Sequence, residues 1–169
     1  TFTNLNSQNY LEFMVKIYNN KKGVTHQLGK TNAGTELIIG EPFGAITYKG
    51  PGVFLAGGSG ITPFIAIFRA LYKDNALRGN KLIYSNKSVQ DVILASELQK
   101  MLKTDLIPYF SHEGRIGFGP HRIDRNFLID VVKDFSQQFY LCGPDDFVKD
   151  LSRLLLDLGA EMSSLVVES

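Results

Sequence analysis

The sequence predicts an α/β protein: a five-stranded, parallel, doubly wound sheet over residues 51–169, preceded by antiparallel strands within residues 1–50. Three observations carry this. The hydrophobic rhythm changes at Gly50-Pro51-Gly52, a Pro/Gly punctuation mark. Before it, short alternating runs are separated by polar turns, as in antiparallel pairs. After it, short apolar runs alternate with stretches of helical periodicity, which implies a parallel sheet with right-handed crossovers.

In the first half the strands are expected at residues 11–18, 36–39 and 45–48, with turns at 19–23 and 32–34. Three strands cannot close a barrel or bury both faces, so this half is expected to need partners that the sequence does not contain. In the second half, Val53-Phe54-Leu55-Ala56 is wholly apolar, as a central parallel strand would be. Phe64, Ile65, Ile67, Phe68 and Leu71 fall on one face of the helix that follows. Residues 81–85 form the next strand, 91–102 the next helix and 106–111 the third strand. Asp124 is placed to cap a helix reaching about residue 133. Residues 139–142 give the fourth strand. The helix after it lines up Phe147, Val148, Leu151, Leu154, Leu155 and Leu158 and is stopped by Gly159. Residues 164–168 close the sheet.

Composition narrows the function. The 169 residues suit one full domain, or one domain and a piece of another, and 44% hydrophobic content is enough for a core. A net charge of +1 without a basic stripe argues against nucleic acid. Apolar runs such as 53–56 and 154–156 are too short to span a bilayer, and residues 1–10 lack the features of a signal peptide. A single cysteine, Cys142, excludes internal disulfides and four-cysteine metal or cluster sites, so a cytoplasmic setting is the default expectation. His26, His112 and His121 have no ligand spacing, and no metal is expected.

The strongest motif is Ala56-Gly57-Gly58-Ser59-Gly60-Ile61-Thr62-Pro63-Phe64, between the first strand and its helix. Glycines there let backbone amides approach an anion, and the helix points its unpaired N–H groups at the same place. Pro63 suits the first helical turn, where a missing N–H costs nothing. A ligand-free tight turn is the plain structural alternative. Other motif readings fail on spacing: there is no Gly-Lys-Ser/Thr of a P-loop, Ile61 stands where a nucleophile elbow needs glycine, and Pro63 stands where the dinucleotide fingerprint needs its third. A hydrolase using Ser59 lacks an oriented His–acid pair. A second glycine element, Cys142-Gly143-Pro144-Asp145-Asp146, ends the fourth strand. In the strand order 3-2-1-4-5 both turns face one cleft at the switch point, where open α/β sheets bind ligands.

These stretches resemble the NAD(P)H domain of the ferredoxin reductase superfamily, which includes flavodoxin reductases, cytochrome b reductases and the reductase part of flavohaemoglobins. The resemblance rests on the 56–64 motif, on Leu82-Ile83-Tyr84-Ser85-Asn86-Lys87 with Asp91 and Glu97-Leu98, and on Tyr140-Leu141-Cys142-Gly143-Pro144. It extends upstream. Thr1-Phe2-Thr3 looks like the tail of the family's flavin motif, and Val15-Lys16-Ile17-Tyr18 and Gly23-Val24-Thr25 look like its later flavin-contacting stretches.

The resemblance implies an NAD(P)H-binding domain over residues 51–169 and part of an antiparallel FAD-binding β-barrel over residues 1–50. Gly57, Gly58, Gly60, Thr62 and Pro63 would meet the pyrophosphate and nicotinamide side of NADH or NADPH, and Cys142, Gly143 and Pro144 the nicotinamide. Ser85, Asn86 and Lys87 would meet the adenosine side. Gly23, Val24 and Thr25 would hold the FAD pyrophosphate, with Lys16 supplying charge, Met14 backbone support, and Thr3 standing in the flavin motif. The Thr1 hydroxyl would bond near flavin N5, and Glu168 would stand on the flavin side where the family often ends in an aromatic. Cys142 and Thr1 are thus the candidate catalytic residues. The motif's arginine and stacking aromatic would precede Thr1, so the chain reads as N-terminally truncated relative to the family, and weak retention of FAD is expected. The activity implied is hydride transfer from NAD(P)H to FAD, then electron delivery to a separate carrier such as flavodoxin or ferredoxin, or to a small acceptor. The alternative is a non-catalytic nucleotide-binding or regulatory subunit.

Overall fold

The computed structural model describes residues 1–17, 22–112 and 122–169. Tyr18, turn residues 19–21 and His121 lie outside the described residues. A short helix α1 (Val24–Leu28) comes first. The αβ half follows as β1 (Gly52–Gly57), α2 (Thr62–Lys73), β2 (Lys81–Asn86), α3 (Ala95–Leu102), β3 (Leu106–Phe110), α4 (Arg125–Val131), β4 (Gln138–Cys142), α5 (Asp145–Asp157) and β5 (Leu165–Glu168).

All pairings between these strands are parallel, in the order β3-β2-β1-β4-β5, as the strand–helix rhythm predicts. Each residue of β1 is buried because helices cover both faces of the sheet. Val53 and Leu55 point to the α4/α5 side, into a core with Phe127, Leu128, Leu151 and Leu155. Phe54 and Ala56 point to the α2/α3 side, against Phe64, Phe68, Leu98 and Tyr140. Strand alternation thus feeds two cores from one apolar run.

Two expectations change. The helix expected over 91–102 starts only at Ala95. Val89–Asp91 instead forms a separate 3₁₀ turn closed by a Ser88/Asp91 capping box, and Leu94, in the left-handed region at φ 53°, breaks the path between them. In the first half, the strands expected at 11–18, 36–39 and 45–48 form no ladder among the described residues; the pairing there is an isolated antiparallel bridge between Phe2 and Phe13. A strand exists only where a neighbour accepts its hydrogen bonds, and among the described residues 36–39 and 45–48 have no strand beside them: Ile38 and Phe43 are fully exposed. The remaining boundaries shift by one or two residues, within the usual fraying of element ends.

Polar anchors fasten the first half to the sheet. Arg69 of α2 donates to the Thr3 carbonyl at 2.7 Å and pairs with Glu12 and with Glu97 of α3. The Tyr140 hydroxyl accepts from the Lys49 and Gly50 amides at 2.8 and 3.0 Å and donates to the Gly50 carbonyl at 2.7 Å. No helix among the described residues is long and apolar enough to cross a membrane.

Candidate functional site

Strands β1 and β4 lie side by side, while the chain leaves β1 towards β2 and leaves β4 towards β5. The crevice at their carboxyl ends is therefore the switch point. After Gly57, residues Gly58–Ile61 make one 3₁₀ turn that runs into α2, with Thr62 and Pro63 in its first turn. Gly58 sits at φ +55°, and a β-carbon there would meet nothing within 4 Å, so the turn borders open space on that side. Gly60 is the opposite case: a β-carbon would fall 2.1 Å from the Cys142 carbonyl oxygen and 2.7 Å from the Gly143 Cα. A β-carbon on Gly143 would stand 3.1 Å from the Gly57 Cα and 2.8 Å from the Phe147 ring. The two glycine turns singled out in the sequence are thus packed against each other, with Phe147 wedged beneath both.

A cleft of ≈ 200 Å³ opens beside them, lined by Gly57, Gly58 and Ser59, by Ser85, Asn86 and Lys87 at the end of β2, by Pro144, and by Lys16 from the first half. Lys16 and Lys87 both act on Asp91, whose carboxyl is held below its ordinary value first by the Ser88 hydroxyl, next by the Ser88 amide and last by these charges. Asn86 is 5% exposed, and among the described residues neither amide atom has a hydrogen-bond partner of good geometry, although the side chain lies near enough to the Tyr84 hydroxyl to influence it. A buried unmet amide is costly unless a ligand completes it. Ser111 and Phe147 also line this cleft. Sequence reasoning missed both as site residues: Phe147 reads as an ordinary core position of α5, and Ser111 carries no motif. A larger cavity of ≈ 890 Å³ continues from the same cleft past Arg122 and Arg125 towards α5.

Cys142 is 8% exposed and pairs in register with Ala56 and Glu168. Burial, and secondarily the Glu168 charge, push its thiol up to about 11, so it is a neutral group at physiological pH. The Glu168 carboxylate accepts from the Ala45 and Ile46 amides at 2.7 and 3.3 Å. Upstream, Thr3 is fully buried and its hydroxyl donates to the Glu12 carboxylate at 2.6 Å. Thr1 is exposed, Met14 half-buried, and Gly23, Val24 and Thr25 form the start of α1, with Val24 77% exposed. The structure therefore brings Lys16 to Gly57, Gly58, Pro144 and the Ser85–Lys87 segment, whereas Thr1, Thr3, Met14, Gly23, Val24 and Thr25, and also Gly60, Thr62, Pro63, Cys142, Gly143 and Glu168, do not line the cleft.

The family described as the oxidoreductase NAD-binding domain matches residues 54–153, which contain both glycine turns and the Asn86 segment. The chain belongs to that family. Its motifs and its fold place it in the ferredoxin reductase-like superfamily. It is similar to NADH-cytochrome b5 reductase 1 of Eremothecium gossypii, at 29% identity over 170 residues, covering 90% of this chain and 58% of that protein. It is also similar to a component of the Na(+)-translocating NADH-quinone reductase of a Marinomonas species, at 26% identity over 150 residues, covering 80% of this chain and 37% of that one. Among solved structures, the CS-b5R domains of human Ncb5or in the NAD+ form match with a TM-score of 0.71 and 26% identity, covering 94% of this chain and 48% of that chain. The chain spans less than two thirds of the length of these relatives.

Proposed function

We propose that the protein is an NADH-dependent flavoprotein reductase, in which residues 51–169 hold the dinucleotide and residues 1–50 contribute to an FAD site. The observation that carries this is the convergence of two glycine turns, two lysines and a buried, unmet asparagine amide on one cleft at the switch point. Those features fit a dinucleotide: the open glycine turn at Gly57–Ser59 for a pyrophosphate, Lys16 and Lys87 for its charge, and the Asn86 amide for a ribose or base edge. The relatives whose names specify NADH point the same way.

When bound, nicotinamide and flavin supply the hydride donor, the hydride acceptor and the conversion from two-electron to one-electron transfer. The protein's own part is placement. Gly57, Gly60 and Gly143 keep the turn backbones close enough to form one surface. Cys142 offers a compact neutral thiol at the ring edge, suited to packing and weak polar contact without covalent chemistry. On the flavin side, Gly23, Val24 and Thr25, at the N-terminal end of α1, are the residues for the FAD pyrophosphate, and Thr1, Thr3 and Met14 belong to the segment that would meet the ring. A separate one-electron carrier receives the electrons; cytochrome b5 and quinone appear in relatives' names, and flavodoxin or ferredoxin would suit the same chemistry.

NADH is favoured over NADPH because Ser85-Asn86-Lys87-Ser88 offers no arginine fork for a 2′-phosphate. The test is stopped-flow reduction of flavin-loaded protein by each cofactor. Flavin reduction with a kcat/KM ratio favouring NADH is expected. An NADPH advantage overturns the preference, and failure to reduce flavin with either overturns the enzyme reading in favour of a nucleotide-binding subunit.

A further inference from the structure

The Glu168 carboxylate lies on the same face of the sheet as Cys142, its register partner on the neighbouring strand. Its Oε2 takes two successive backbone N–H groups, from Ala45 and Ile46, as an anion does in a backbone nest. Gly44 makes room for it. That residue sits at φ +143°, and a β-carbon there would stand 2.9 Å from Oε2. The chain held this way continues into Ile46 and Tyr48, whose side chains pack on the cluster containing Cys142, Tyr140 and Val166. Tyr48 stacks on Tyr140, with ring centroids 5.9 Å apart and planes at 20°.

We propose that Glu168 is a positioning residue for the Cys142 end of the site: it latches residues 44–46 over the ends of β4 and β5, and so sets how far the Cys142 side chain is open to solvent and ligand. This rests on the reading of Cys142 as a nicotinamide neighbour, and it assigns Glu168 a different role from contact with the flavin. The latch and the burial of the thiol are one device, because the segment that Glu168 holds also supplies apolar cover to the cluster around Cys142.

Cys142 is the single cysteine of the chain, so thiol labelling reads it alone. The rate of modification by a soluble aromatic disulfide reagent at pH 8 is measured on folded wild type, Glu168→Ala, Glu168→Gln and Gly44→Ala. Circular dichroism establishes that each is folded. With the latch lost, labelling should accelerate about tenfold in Glu168→Ala and in Gly44→Ala, and less in Glu168→Gln, which keeps an acceptor oxygen. Gly40→Ala, where a β-carbon meets nothing within 4 Å, should label at the wild-type rate. Unchanged labelling in both Glu168→Ala and Gly44→Ala overturns the latch. So does equal acceleration in the two Glu168 variants with none in Gly44→Ala, which would show a charge effect on the thiol alone. Failure of the underlying reading is separate: flavin reduction unaffected by Cys142→Ala would remove the nicotinamide contact and leave the labelling result standing.

Discussion

Cys142 has a thiol raised from 9.0 to about 11, first by burial and then by the Glu168 charge. A raised acid pKa means that the folded state prefers the protonated form. The corresponding stability is complete below pH 9.0 and is lost as pH rises through about 11. It amounts to on the order of 2 kcal/mol. Urea unfolding at pH 8 and pH 11 should show wild type losing more stability than Cys142→Ala over that window. At neutral pH the same substitution should slow flavin reduction about tenfold while sparing nucleotide affinity, the pattern of a contact made mainly in the transition state. The glycines divide by what surrounds them. Gly60→Ala should cost ~3 kcal/mol or abolish folding, since its β-carbon would overlap the Cys142 backbone. Gly58→Ala meets open space and only the strain of φ +55°, so its cost should be ~1–2 kcal/mol, with weakened nucleotide binding as the larger effect. Comparative urea titrations and NADH binding separate the two.

Among the elements, α4 shows a sequence signal realised in geometry: the Asp124 side chain accepts from the Phe127 amide at 2.8 Å. Asp124→Ala should destabilise by about 1 kcal/mol and Asp124→Asn by much less, read as shifts in the urea midpoint. The second half was legible because each of its strands is a short apolar run whose partners lie within the chain, and because the glycine turns have a fixed place between strand and helix. The start of α3 was not. Asp91 reads as a helix opener, yet its carboxylate closes a turn with Ser88, and a left-handed leucine is not foreseeable from propensity. Residues 36–39 and 45–48 have strand-like composition, but composition does not provide the neighbour that a strand needs. The cleft was foreseen in its glycines and its β2 end. Phe147 escaped because its importance lies in touching two glycines from different strands, a relation visible only in three dimensions.

Across the whole molecule, Arg69 joins three parts: the N-terminal segment through Thr3 and Glu12, α2 on which it sits, and α3 through Glu97. Glu12 is held below its ordinary 4.5 by the Thr3 hydroxyl first and by Arg69 next. A lowered carboxyl pKa contributes stability above 4.5 that disappears as pH falls through the folded value. Arg69→Met should therefore cost ~1–2 kcal/mol at pH 7 for these partly exposed charges. It should also flatten the loss of stability below pH 4.5, and thermal melts at pH 7 and pH 3.5 test both.

The Tyr140 hydroxyl reaches back 91 residues to Lys49 and 90 to Gly50, and Glu168 reaches back 123 residues to Ala45. A chain made on the ribosome from its first residue onward therefore exposes residues 45–50 long before the groups that fasten them exist. Their docking must wait until β4 and β5 have emerged and joined the sheet. Residues 45–50 therefore settle after the N-terminal segment that Arg69 can already hold, and a nascent chain arrested before β4 would lack the Tyr140 ring on which Tyr48 stacks, leaving that face as a surface for a chaperone.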